Sequence, residues 1–247
     1  MATYRLEYDL HTHTSFSHGS GSIEDNVLAA KAAGLKRLGI ADHGPGHLFF
    51  GIRRSRLPEM RREIERLRAV HPDMEILLGV EANIINSSGL LDVRPWEFGD
   101  YDYVIAGYHY GVLGDEPLRA FGLACANIAQ GMTGREFARL RRENTAMVAR
   151  ALRENDIMIL THPGDKAPVD LPDVAAACAE TGTLFEINTG HDCVSPEDMR
   201  AAARAGAAFV ISSDAHSPGR VGDFMPAVEL AARAGIGLER IVNLIVE

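Results

Sequence analysis

Short apolar runs, many of them β-branched, recur at residues 8–10, 37–41, 75–80, 103–106, 157–160, 183–187 and 208–211. Each is continuous rather than alternating, the pattern of strands buried on both faces. Between them, helical periodicity predicts helices over residues 23–33, 58–70, 135–154, 174–180, 196–205 and 227–234. Ser22 with Asp25 three residues later predicts a capping box for the first helix, and Gly34 its stop. Pro58 and Pro196 suit first turns, while Gly206 and Gly235 suit stops. Residues 83–100 carry little helical periodicity. Strand–helix alternation implies a parallel sheet with helical crossovers, hence an α/β fold. Seven such units in 247 residues, with no long polar linker, predict one domain over residues 1–247, a closed or nearly closed barrel. A doubly wound open sheet is the alternative, because strand order is not written in the pattern.

Composition narrows the partners. Twenty-five Lys and Arg against 34 Asp and Glu leave a net charge of −9, which argues against a nucleic-acid polymer or an anionic membrane as partner. A nucleotide remains admissible as a small substrate. No apolar run reaches the ~18 residues of a membrane span. The first residues lack a cationic start followed by an apolar core, so no secretory leader is expected. Cys125, Cys178 and Cys193 are odd in number and without metal-type spacing, which predicts free thiols and a cytoplasmic location. Oligomeric state is not readable from the chain.

Ionisable residues gather where the apolar runs end. The first run leads into His11-Thr12-His13, with His18 shortly after; the second ends at Asp42-His43 and the third at Glu81. The fourth leads to His109, the fifth to His162 and the seventh to Asp214-Ala215-His216. In a barrel those ends converge on one mouth. His11 and His13 are two residues apart, so in extended backbone both point one way, and Asp214 and His216 repeat the arrangement. Imidazoles and carboxylates so crowded carry a large desolvation and repulsion penalty unless divalent cations share them. The donor set exceeds one tetrahedral site and points to two or three metals. Nitrogen and oxygen donors without thiolate favour Zn, Mn or Fe over Mg or Ca.

His11-Thr12-His13, Ala41-Asp42-His43, Gly79-Val80-Glu81-Ala82-Asn83, Gly107-Tyr108-His109, Thr161-His162-Pro163-Gly164 and Ser213-Asp214-Ala215-His216 resemble the PHP (polymerase and histidinol phosphatase) superfamily, in order, over nearly the whole chain. Asp42-His43-Gly44-Pro45, Glu186-Ile187-Asn188 and Gly222-Asp223-Phe224 look most like its small stand-alone phosphatases. The resemblance implies a distorted (β/α)7 barrel, TIM-barrel-like, with three divalent metal ions. It further implies one metal on His11, His13, Glu81 and Asp214, and a second on Glu81, His109 and His162. His18, His43 and His216 would hold the third, with Glu81 bridging the first two.

The expected reaction is hydrolysis of a small phosphate monoester by a water that the cations acidify, without a serine or cysteine nucleophile. Glu81 and Asp214 are candidate catalytic groups as well as ligands. Arg220, four residues beyond His216, is a candidate phosphate clamp, and His191, beyond the sixth run, a candidate proton donor. Arg53, Arg54 and Arg56 follow the His43 strand end and are candidates for steering an anion. His47 and Asn188 lie within reach of the mouth, whereas His71 faces its opposite end. Asp9 and Asp42 adjoin ligands and are expected to support them or to pack. Histidinol phosphate is the leading specific substrate. A phosphodiesterase or nuclease related to polymerase domains and a non-catalytic metal-binding module are the competing readings.

Overall fold

In the computed structural model residues 3–112, 117–134 and 137–247 are described. A two-stranded antiparallel ribbon, β1 (Tyr4–Leu6) with β9 (Leu244–Val246), ties the two ends of the chain together. All the chemistry sits on a second sheet. Its strands are β2 (Tyr8–Asp9), β3 (Arg37–Ile40), β4 (Glu75–Asn83), β5 (Tyr103–Gly107), β6 (Ile159–Leu160), β7 (Leu184–Asn188) and β8 (Phe209–Ser212). They lie in sequence order and every neighbouring pair is parallel.

Between β2 and β8 no continuous ladder forms, and side chains close the ring instead. The Asp9 carboxylate accepts hydrogen bonds from the Ser213 backbone N–H at 3.2 Å, the Ser213 hydroxyl at 2.5 Å and the Gly222 N–H at 3.0 Å. Just beyond, the His13 N–H donates to the Ala215 carbonyl at 2.9 Å. The sheet is therefore a nearly closed barrel rather than an open one, and Asp9 is part of the seam.

The helices are α1 (Ile23–Ala32), α2 (Leu57–Val70), α3 (Pro117–Thr133), α4 (Ala138–Glu154), α5 (Leu171–Thr181), α6 (Pro196–Arg204) and α7 (Met225–Ala234). The Ser22–Asp25 capping box forms as the sequence predicts, and Gly34, Gly206 and Gly235 take left-handed φ values after α1, α6 and α7. Helix α5 starts a turn earlier than its periodicity suggests, because Asp170 caps it and Pro172 sits in its first turn. The predicted start of α4 at residue 135 lies outside the described residues. Helix α3 is not predicted at all, since its apolar residues occupy more than one face and Gly122 and Gly131 interrupt it. No α-helix joins β4 to β5; residues 84–102 make a β-bridge and a 3-10 turn, which is the barrel's main distortion. No helix among the described residues is long and apolar enough to cross a membrane.

Strand β4 shows how the barrel sorts its residues. Ile76, Leu78, Val80 and Ala82 join the core between sheet and helices. Leu77, Gly79, Glu81 and Asn83, one register away, face the barrel axis. Low in that interior, Leu10, Ala41, Tyr103, Ile105, Ile159 and Val210 form a separate apolar plug. The Tyr103 hydroxyl crosses it to donate to the Leu10 carbonyl at 2.7 Å. A Cβ at Gly39 or Gly79 would collide with the Tyr103 phenol, so both glycines make room for it. Gly79→Ala is therefore expected to destabilise the fold by about 1–3 kcal/mol through overpacking. Urea unfolding checks this, with Gly99→Ala, where an added Cβ meets nothing within 4 Å, as the neutral comparison.

Candidate metal centre

Above the apolar plug the interior turns polar. His11 and His13 follow β2, His43 follows β3, Glu81 lies within β4 and His109 follows β5. His162 follows β6, and Asp214 and His216 follow β8. Glu81 is fully buried at the centre. Its Oε1 lies 2.8 Å from His162 Nε2 and 3.4 Å from both His11 Nε2 and His109 Nε2. Its Oε2 lies 2.8 Å from His43 Nδ1 and 3.6 Å from His13 Nε2. Asp214 Oδ1 lies 3.1 Å from His13 Nε2 and 3.5 Å from both His11 Nε2 and His216 Nδ1. His18, at the exposed rim, completes the cluster with ring centroids 4.9 Å from His43 and 4.2 Å from His216. All nine side chains singled out in the sequence as ligands thus meet in one place.

Their donor atoms overlap rather than divide into separate sets. Ligand atoms of His11, His13 and Asp214 lie within 4.8 Å of one another, as do those of His13, His43 and His216 and those of His43, Glu81 and His109. Glu81 Oε2, Asp214 Oδ1 and His43 Nδ1 are buried, yet none has a hydrogen-bond partner of acceptable geometry among the described residues. An orphaned buried carboxylate oxygen is expensive in water's absence. Two of them facing imidazole nitrogens at these distances suit divalent cations, which need several oxygen and nitrogen lone pairs and no proton.

Burial raises the Glu81 carboxyl, but the His109, His11 and His43 imidazoles outweigh it and hold it well below the usual carboxylate range. Asp214 is likewise held low, by His11, His13 and His191 against the effect of its burial. Burial pulls His13 down to about 3, His18 to about 4 and His109 well below its ordinary value. Burial thus favours the neutral, metal-binding form at His13, His18, His109 and His216. At His11 the Asp214, Glu186 and Glu81 carboxylates, and at His162 chiefly Glu81, instead outweigh burial and raise the imidazole.

A supporting layer fixes the ligands. Glu186 Oε1 lies 2.7 Å from His11 Nδ1, while its Oε2 accepts the His162 backbone N–H at 2.6 Å and the Asn188 amide at 2.9 Å. Thr161 donates to Glu81 Oε1 at 2.8 Å. Asp42 turns from the centre and accepts both the Thr14 N–H and its hydroxyl, at 2.7 and 2.6 Å. His162 and Asp214 carry φ values of +28° and +50°, rare for residues with a Cβ and of order 1–3 kcal/mol each. Such strain persists where neighbours over-determine the conformation, as Glu186 does for His162. Gly107 contributes by absence, since a Cβ there would collide with the Thr161 hydroxyl.

The centre opens into a pocket of about 370 Å³, walled by Phe49, Phe50, Tyr110, His47 and Lys166. His191 stands at its edge, with Nδ1 3.3 Å from Asp165 Oδ2 and Nε2 3.3 Å from Asp214 Oδ2. The proximity of these two carboxylates, Asp165 foremost, raises its pKa to about 10. Asn188 anchors that loop, its Oδ1 accepting the Gly190 and His191 N–H groups at 2.7 and 2.9 Å. Arg220 is not among the pocket-lining residues: its guanidinium donates to the Thr189 carbonyl at 3.0 Å and pairs with Asp223 at 3.1 Å. Arg54 is paired with Glu97 and Arg56 with Glu59. His71 lies with Lys31 and Asp73, away from the centre.

Sequence reasoning assigned no role to Glu186, Asp165 or Lys166. Glu186 had a usable signal, because it alternates with Asn188 on the inward face of the sixth strand as Glu81 does on β4. That strand, β7, supplies none of the nine candidate ligands, and it supplies instead the carboxylate beside His11. Asp165 and Lys166, in the loop after His162, have no such pattern.

Comparison with known proteins places these features. A PHP domain is matched over residues 9–189. A probable phosphatase of Shewanella frigidimarina is 30% identical over 254 residues, covering 95% of this chain and 88% of the relative. One of Shewanella halifaxensis is 30% identical over 257 residues, with 95% and 87% covered. Among solved structures, histidinol phosphate phosphatase of Lactococcus lactis, complexed with zinc, L-histidinol and phosphate, is similar in fold, with a TM-score of 0.62 at 19% identity. The overlap covers 94% of this chain and 95% of that one.

Glu186→Gln removes the charge that holds His11 while keeping the side chain's shape. Metal affinity is expected to fall about 10–100-fold with the fold intact. Competition with a chromogenic chelator, alongside circular dichroism, checks it.

Proposed function

The chain belongs to the PHP-domain family of metal-dependent phosphoesterases, and on that footing we propose that it hydrolyses a small phosphate monoester at a site for three divalent cations, zinc, manganese or iron. The observation that carries this reading is the pair of orphaned carboxylate oxygens, Glu81 Oε2 and Asp214 Oδ1, ringed by imidazoles beneath an open pocket. His11, His13, Glu81 and Asp214 would hold one cation, and Glu81, His109 and His162 a second. His18, His43 and His216 would hold the third, with Glu81 shared by the first two. The continuity of the donor shell favours several neighbouring ions over one isolated ion. Bound cations of this kind bring the pKa of water toward neutrality and neutralise the non-bridging oxygens of a phosphoryl group.

The chain's own residues do the rest. Glu81 and Asp214 position the reacting centre and keep it anionic enough to retain the cations. His191 holds a proton at neutral pH because Asp165 and Asp214 flank it, and its place at the pocket edge suits donation to the departing oxygen. Lys166 is the cation that lines the pocket, 2.7 Å from Asp165 Oδ2, and would meet an anionic substrate on entry. Phe49 and Phe50 wall the pocket, with the Phe50 ring stacked 4.3 Å from His18, and restrict bulk water at the rim.

Chelation is expected to lower turnover of p-nitrophenyl phosphate by on the order of 10²-fold or more, with recovery on adding manganese or zinc. Metal analysis should find more than one ion per chain, and His11→Ala/His13→Ala should be inactive. Full activity in the chelated protein or in that double variant would sink the proposal. His191→Gln should lower kcat roughly 10²-fold on alkyl phosphates, and much less on p-nitrophenyl phosphate, whose leaving group needs no proton. Equal losses on both would remove His191 as the donor. A panel of phosphorylated metabolites that includes histidinol phosphate identifies the substrate, and degradation of single-stranded DNA without monoester turnover would replace this reading.

A further inference from the structure

Helix α3 meets the protein with a mixed face and carries an apolar stripe on the other. Toward the body of the protein, Ala120 packs with Ile85 and Val112, and Asn127 and Asn144 exchange side-chain hydrogen bonds at 2.8 and 3.4 Å. The other face carries Leu118, Phe121, Cys125, Ile128 and Met132, at successive spacings of three, four, three and four. That spacing aligns five side chains in one stripe, as in the seam of paired helices. Leu118 is 87% exposed, Phe121 70%, Ile128 41% and Met132 84%, and Cys125 is exposed as well.

We propose that this stripe is a self-association surface, on which α3 of a second copy of the chain packs antiparallel about a two-fold axis near Cys125. This goes beyond the catalytic reading and does not rest on it. Three observations select the occupant. The stripe presents on the order of 500 Å² of apolar side chain, the upper end of what a monomer leaves open. It is also the larger part of the ~800 Å² per partner in a stable interface. Arg119 is the sole charged residue in α3, whereas a helix that lies on a bilayer carries several Lys or Arg on its polar face. Here the opposite face is occupied by the protein, and a net charge of −9 repels anionic lipid. Two copies of so acidic a chain meet with least repulsion through a face that bears no carboxylate. The stripe also runs seven residues to either side of Cys125, from Leu118 to Met132, so turning it end for end about that point lays apolar side chains over apolar side chains, as a two-fold contact requires.

Sedimentation velocity and light scattering at micromolar protein test the proposal. The wild type should show twice the 26.8 kDa chain mass. Phe121→Glu/Ile128→Glu should weaken the dimer at least about 100-fold, giving monomers with unchanged phosphatase activity. Leu118→Lys, at the exposed end of the stripe, should act in the same direction should the double variant not fold. Trp96→Glu, at a site 81% exposed and outside the stripe, should leave the dimer unchanged. A short bifunctional maleimide should join wild-type chains in pairs, and Cys125→Ser should abolish the product. A wild type that stays monomeric would overturn the proposal. So would an assembly indifferent to the stripe variants, or a ring of three or more copies without cross-linked pairs. Binding of the monomer to phosphatidylserine vesicles, lost in Phe121→Glu/Ile128→Glu, would assign the face to lipid instead.

Discussion

Two carboxylates buried among imidazoles, each with one oxygen that no hydrogen bond among the described residues satisfies, are the constraint to which the rest of the fold answers. Glu81 is the centre of that arrangement, within 3.6 Å of ring nitrogens from His11, His13, His43, His109 and His162. An anion so placed is tolerable only if positive charge is concentrated around it. Five strand ends must therefore be held at a common height, and a parallel barrel achieves this because all its strands finish at one mouth.

The barrel divides its interior by height. Below, Tyr103 and the small residues facing it make a dry plug that sets the strand spacing. Above, a layer of Glu186, Thr161, Asn188, Asp42 and Asp9 takes up backbone and side-chain donors so that the ligand atoms face the centre. The same polar residues also hold the fold together. Asp9 closes the seam between β2 and β8, and Glu186 restrains both His11 and the strained backbone of His162. The left-handed φ values at His162 and Asp214 mark where local backbone preference has been overridden to aim a side chain.

The path around the barrel is uneven. The link from β4 to β5 has no α-helix, whereas the link from β5 to β6 has α3 and α4. The loop after β3 carries His43, His47, Phe49 and Phe50, and so combines an inner ligand with the outer wall of the pocket. The pocket wall thus resides in segments of irregular structure, while the candidate metal ligands cluster at or near strand ends.

Much of this was legible in the chain. Continuous apolar runs ending in His, Glu or Asp announced both the parallel strands and the convergence of ligands, since strand direction alone sends those ends to one side. The Ser22–Asp25 cap and the glycine stops were legible because each depends on a few adjacent residues. Three things were not. Arg220 lies close in sequence to His216, yet its guanidinium is turned to Thr189 and Asp223, and spacing carries no information about which way a loop side chain turns. Helix α3 was missed because Gly122 and Gly131 interrupt it and its apolar stripe faces away from the core. Lys166 and Asp165 gain their relation to His191 only through a loop. Local chemistry and periodicity thus determined which residues are candidate ligands and which segments are strands. The tertiary structure alone decided how those ligands share space, which acid orients which imidazole and what walls the pocket, because such relations join residues that only the closing of the barrel brings within contact distance.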